Sequence, residues 1–266
     1  MTAPASSLDA AEIEKFAALA QAWWDPKGEF APLHALNPPR LDFIREQALA
    51  HFGRDPRARR PFEGLRLLDV GCGGGLVCEP MARLGFTVTG LDGAEPSIGV
   101  ARAHAEAQRL AIDYRVSTVE AMVDASEAPF DLVLALEVVE HVADPRAFLR
   151  DVARLTAPGG LMIVSTLNRT AASLMLGKAA AEYVLRWAPP GTHDWRRFLK
   201  PEEMREMLSE DALSAQGPFG LVFDPVSWSW RLGEDCKINY FMTFSRPART
   251  TKGEGGRSRR RQTGSR

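Results

Sequence analysis

Two carboxylates close successive apolar runs of the chain, Asp69 in LLDVGCGGGL and Asp92 in TVTGLDG, and Gly71 and Gly73 follow the first almost at once. A glycine turn at the end of a strand lets backbone N–H groups approach a ligand closely, and such turns hold nucleotide-bearing cofactors. Spacing argues against two of these. A dinucleotide fingerprint needs a third small residue in the slot that Leu76 fills, and a phosphate loop needs Lys followed by Ser or Thr where the chain has Leu76 and Val77. Charge points to another. Asp69 beside a pyrophosphate would meet like-charge repulsion of roughly a few kcal/mol at an effective dielectric of about 20. S-adenosylmethionine carries no phosphate, and its ammonium and sulfonium are attracted to an acidic lip. Asp92 is placed to accept both ribose hydroxyls. A further chemical cluster, Glu137, Glu140 and His141 in EVVEH, follows the apolar run at 131–136.

These groups need rigid elements behind them, and the pattern supplies an alternation. Strands are expected at 66–70, 86–91, 112–116, 131–136 and 160–166, with helices at about 76–85, 96–109 and 145–156. The result is a parallel, doubly wound α/β sheet. Gly85, Gly159 and Gly160 fall where helices should stop, and Pro145 where one should start. Upstream, Asp9 to Ala22 reads as a short helix and Leu41 to Phe52 as another. The Pro- and Gly-containing stretch between them reads as irregular, and GRDPRARRPFEG as a loop. Downstream come a helical insertion at 170–187, a helix after Pro201 and apolar runs at 219–226 and 238–244. The expected organisation is a helical cap and connector at 1–62, a main domain at 63–246 with an insertion at about 170–200, and a disordered basic tail at 247–266.

Composition bounds the class. With 266 residues, 45% hydrophobic and 25% charged, the chain suits one globular domain with a real core. Its net charge of -1 hides a tail at 246–266 with eight Lys or Arg against Glu254 alone. That tail reads as solvated, or as meeting an anionic membrane surface or nucleic acid. Cys72, Cys78 and Cys236 include no C-x-x-C pair, which suits reduced thiols. Without an apolar signal core or a run of roughly 20 apolar residues, the expected location is cytoplasmic.

LLDVGCGGG, VTGLD and LTAPGG resemble the successive motifs of class I S-adenosylmethionine-dependent methyltransferases. More specific are FAALAQAWWDPKGEFAPLHALNPPRLDFI, LEVVEHVADP, STLNR and AAAEYVLRWAPPGTHDWRRFLKPEEM, which are similar to the ubiquinone biosynthesis O-methyltransferase family over about 14–244. The resemblance implies a Rossmann-like, seven-stranded, mostly parallel sheet with its last strand antiparallel and helices on both faces. It implies methyl transfer to a phenolic oxygen of a polyprenylated catechol-like quinone precursor, of the 2-polyprenyl-6-hydroxyphenol and 3-demethylubiquinol types, at one or two pathway steps. It places Arg40 on the methionine carboxylate, with Gly71 and Gly73 at the same end, while Asp69 could brace the loop as well as attract the cofactor. It also places Asp92 on the ribose, Val119 and Glu120 near the adenine, Leu136 against the cofactor and His193 at the substrate.

A phenol of pKa about 10 needs a base or a cation. Glu137, Glu140 and His141 could hold a divalent ion such as magnesium or zinc, His141 could act alone as base, or the three could shape the pocket. His34 is expected to be structural, and His51 and His104 to be solvated helix residues. The expected partner is a prenylated phenol or quinol; the apolar segment at 171–188 reads either as a core helix or as an amphipathic lid that meets the inner-membrane surface weakly. A quinone-biosynthesis complex is a further expected partner. No N/D-P-P-Y/F/W tetrad appears, so nucleic acid is not expected. A methyltransferase of a soluble small molecule and a non-catalytic cofactor-binding scaffold remain as alternatives.

Overall fold

A computed structural model describes residues 14, 20–28, 30–174, 195–224 and 229–248. The expected N-terminal helix lies mostly outside these residues, and so do His193, most of the 170–187 insertion and the tail beyond residue 248.

Helix α1 (Ala31–Phe52) leads into strand β1 (Arg66–Val70), followed by α2 (Cys78–Arg83), β2 (Thr87–Asp92), α3 (Glu95–Ala107) and β3 (Asp113–Val116). Then come α4 (Val119–Asp124), β4 (Phe130–Leu136), a 3-10 turn at Val139–His141, α5 (Pro145–Arg154) and β5 (Thr156–Leu167). A further 3-10 turn at Trp195–Arg197 precedes α6 (Pro201–Met207), β6 (Ser214–Asp224), β7 (Ser229–Gly233) and β8 (Asn239–Ser245). The strands form one eight-stranded sheet in the order β3-β2-β1-β4-β5-β8-β6-β7. From β3 through β5 every pairing is parallel, whereas β8 runs antiparallel to both β5 and β6.

The central strands are apolar along their length because both faces are covered. Side-chain alternation divides them between two layers. Leu132, Leu134 and Leu136 of β4 join Leu67, Ile163 and Phe241 on one face, and Val133 and Ala135 join Leu68, Val164 and Tyr240 on the other.

Three elements differ from the sequence reading. The sheet has an eighth strand, β7, which pairs with β6 at the edge. Its five residues, SWRLG, are only partly covered, so they carry no continuous apolar run. Helix α4 was not expected either; it is six residues long, and Thr118 caps it by accepting the Ala121 N–H at 3.2 Å. Helix α1 begins well before Leu41 and runs through Pro38 and Pro39. Proline removes two helix donors there, but Phe43, Ile44 and Ala48 are buried, and the Phe43 ring stacks on Phe241 of β8 at 4.4 Å. Tertiary burial outweighs the local penalty.

Candidate functional site

The strand order reverses between β1 and β4, and the crevice at their C-terminal ends is where open α/β sheets bind ligands. The glycine loop lies there. Gly71 and Cys72 both donate their N–H to the Leu91 carbonyl, at 2.7 and 3.0 Å. Gly71 has φ +71°, and a Cβ at that position would stand 2.4 Å from a Val138 methyl. Only glycine fits. The Gly73 N–H donates to Oδ2 of Asp92 at 2.9 Å, and the Ala94 N–H to Oδ1 at 2.8 Å. Asp92 therefore braces the loop with one lone pair on each oxygen and retains others for a ligand. Burial raises its pKa, and these backbone donors oppose the rise.

A buried charged cluster sits beside the loop. Arg40 of α1 is 5% exposed, and its Nε and Nη2 find no hydrogen-bond partner. Burial pushes its pKa down, while Glu137, Asp69 and Glu140 oppose that shift in descending order. Asp69, at the end of β1, accepts the Cys78 thiol proton at 3.2 Å. Burial lifts its pKa to about 7 against the opposing pull of that thiol and of Arg40.

Glu137 follows β4 with φ +56°, a left-handed conformation that costs a non-glycine residue roughly 1 kcal/mol. Its N–H bonds to the Ser165 carbonyl at 3.0 Å, and its carboxylate accepts the Ser165 hydroxyl at 2.6 Å. Glu140 is buried and accepts the Thr166 hydroxyl at 2.9 Å. Burial and then the Glu137 charge raise its pKa to about 7, and His141 works against them.

The structure thus brings Arg40, Asp69, Gly71, Gly73, Asp92, Leu136, Glu137 and Glu140 to one crevice, with His141 in the 3-10 turn beside it. Val119 begins α4 after β3, and its buried side chain packs in the core layer that holds Leu91. The expected metal set does not assemble. Among the described residues no group of three or more His, Cys, Asp or Glu side chains is arranged to hold a metal ion. Glu137 and Glu140 are turned to hydroxyls of β5 instead.

Several contacts were not foreseen. The Trp23 indole is buried against the loop, where a Cβ on Gly73 or Gly74 would come within 2.4 or 2.5 Å of it. Its Nε1 donates to the Ser97 hydroxyl at 3.2 Å. His34 is structural, as expected, with Nε2 2.9 Å from the Trp23 carbonyl. His51 and His104 are not simply solvated: His51 is 3.0 Å from the Gly159 carbonyl, and His104 stacks on Trp24. The paired tryptophans marked the N-terminal motif, but nothing in their spacing said which loop they cover.

A methyltransferase domain family model matches residues 41–214. A ubiquinone biosynthesis O-methyltransferase of Caulobacter sp. (strain K31) is 58% identical over 245 residues, covering 92% of this chain and 97% of the relative. The chain belongs to the ubiquinone biosynthesis O-methyltransferase family. Another member, from Dinoroseobacter shibae, is 52% identical across 93% of this chain and its own full length.

In fold, the family member described here is similar to magnesium protoporphyrin IX methyltransferase from Synechocystis PCC 6803, solved with bound SAH. That match has a TM-score of 0.61 at 17% identity and covers 89% of this chain and 94% of the other. A possible histamine N-methyltransferase from Thermotoga maritima matches with a TM-score of 0.57 at 16% identity, covering 88% of this chain and 98% of that one.

Proposed function

We propose that the protein transfers a methyl group from S-adenosylmethionine to a phenolic hydroxyl of a polyprenylated catechol-like quinone precursor, as an enzyme of ubiquinone biosynthesis. Family membership supports the reaction, and Arg40 carries the cofactor reading. A buried guanidinium with two unpartnered donors, beside a glycine loop, is suited to a carboxylate. Asp69, close enough to Arg40 and Asp92 for each to shift its pKa, offers its charge to the ammonium of the same amino acid end. Asp92 offers its remaining lone pairs to the ribose.

When bound, the cofactor supplies an electrophilic methyl on sulfur, whose C–S bond breaks as the O–C bond forms. The chain's own part is to align the acceptor and remove its proton. His141 takes that proton in our reading, from its place beside the buried carboxyl group of Glu140. Glu137, held by Ser165, shapes the pocket wall.

The deciding assay is labelled methyl transfer to a short-chain prenylated catechol and to catechol itself. It is run with wild type and Arg40→Met, with chelator and with added magnesium or zinc. Wild type should label the prenylated acceptor in preference to catechol. Arg40→Met should weaken cofactor uptake by on the order of a hundredfold. Loss of activity in chelator, restored by one metal, would replace His141 as the activating group. Labelling of neither acceptor under any condition would end the proposal.

The prenyl tail also bears on location. Among the described residues no helix is long and apolar enough to cross a membrane; the acceptor is proposed to be reached at the membrane surface. Residues 171–188 are proposed as the segment that meets it. Weak, salt-sensitive binding to anionic liposomes should vanish when they are deleted, and binding that survives the deletion would remove this element.

A further inference from the structure

The glycine loop has four glycines within five positions, 71 to 75, omitting only Cys72. Such a segment has many backbone states to lose, so something must hold it if a cofactor is to bind tightly. A chain of contacts does so from outside the crevice. Glu79 of α2 is 1% exposed, and its Oε1 lies 2.5 Å from Nδ1 of His104 on α3. Its other oxygen is 3.3 Å from Arg83. The His104 ring lies flat against the Trp24 indole, with centroids 3.5 Å apart and planes within 7°. The Trp24 Nε1 donates to the Gly74 carbonyl at 2.9 Å. The path then closes on itself, because the backbone N–H of Glu79 donates to the Gly75 carbonyl at 3.2 Å.

We infer that Glu79, His104 and Trp24 form a positioning relay that fixes the Gly74–Gly75 segment of the cofactor loop. None of the three need touch the cofactor. The relay connects three separate elements, α2, α3 and the segment before α1, to two adjacent peptide groups of the loop. Buried Glu79 anchors it, since a carboxylate out of water needs the donors that His104 and Arg83 provide. The imidazole ring sets the Trp24 plane by stacking, and the indole N–H converts that plane into a fixed carbonyl direction. Trp23, hydrogen-bonded to Ser97, lies over Gly73 and Gly74 and leaves no room for the loop to swing that way. A loop already held in place loses less freedom when it binds, so the relay acts on affinity and not on the methyl transfer step.

The inference rests on the cofactor reading above, and its test separates the two. Binding of S-adenosylhomocysteine to the full chain is measured by calorimetry, alongside steady-state kinetics and a thermal melt. Trp24→Phe keeps an aromatic ring for the stack and loses the N–H together with the second ring of the indole. His104→Phe keeps the stack and loses the bond to Glu79. Each should raise Kd and the cofactor KM about fivefold, with kcat at saturating cofactor within about twofold of wild type.

The double variant should lose less than the product of the two single effects, because both act through one chain. Unchanged affinity in both single variants overturns the relay, as does a fall in kcat with KM unmoved. If His104→Phe does not fold, Trp24→Phe alone decides by the same criterion. Failure of wild type to bind S-adenosylhomocysteine would overturn the cofactor reading instead.

Discussion

Glu140 and Asp69 are carboxylates held away from water, each with a pKa raised to about 7, chiefly by burial. A carboxylate whose pKa rises on folding binds its proton more tightly in the folded chain than in the unfolded one. The stabilisation is complete below the ordinary carboxylate range, near 4.5 for Glu140, and is lost as pH climbs through about 7. Stability of the cofactor-free protein should therefore fall between about pH 5 and pH 8. Glu140→Gln, which cannot ionise, should flatten that slope; urea midpoints across the range would show it, and an identical slope would refute it.

At this scale the sequence was informative about position wherever a residue closes a strand or turns the chain after it. Asp69, Asp92, Gly71 and Gly73 are of this kind. Arg40, Glu137, Glu140 and His141 needed the family resemblance as well. The relay could not be read, since residues 24, 79 and 104 meet only through the folded chain and no local periodicity encodes a stack between them.

Among the elements, β8 ties the sheet to the segment just before α6. Tyr240 is fully buried in it and donates its hydroxyl to the Leu199 carbonyl at 2.9 Å. Burial pushes its pKa upward, so it remains a donor. Tyr240→Phe keeps the volume but leaves that carbonyl unpaired, and should cost about 1–2 kcal/mol in chemical denaturation. A loss below about 0.3 kcal/mol would mean that water replaces the hydroxyl at no cost.

Strong, long patterns were legible here: β1, β2, β4, β5 and α5 lie within a few residues of expectation. The missed elements fail for separate reasons. α4 and β7 are too short to show a period, and α1 contains two prolines that a local reading takes as a stop.

For the whole molecule, alternation of strand and helix was enough to predict a doubly wound sheet, because parallel strands require crossover connections. It could not predict the number of strands at the far edge, where β6, β7 and β8 are joined by hairpin-like pairings that carry no such requirement. Position in that edge has a consequence for how the chain is made. β8 is the most C-terminal strand among the described residues, yet it lies inside the sheet between β5 and β6. A nascent chain released or cut short of residue 239 would lack an interior strand, exposing the ladder edges of both neighbours to aggregation. A chain ending at residue 238 should therefore pass into the insoluble fraction on expression, because β5 and β6 have no strand to join them.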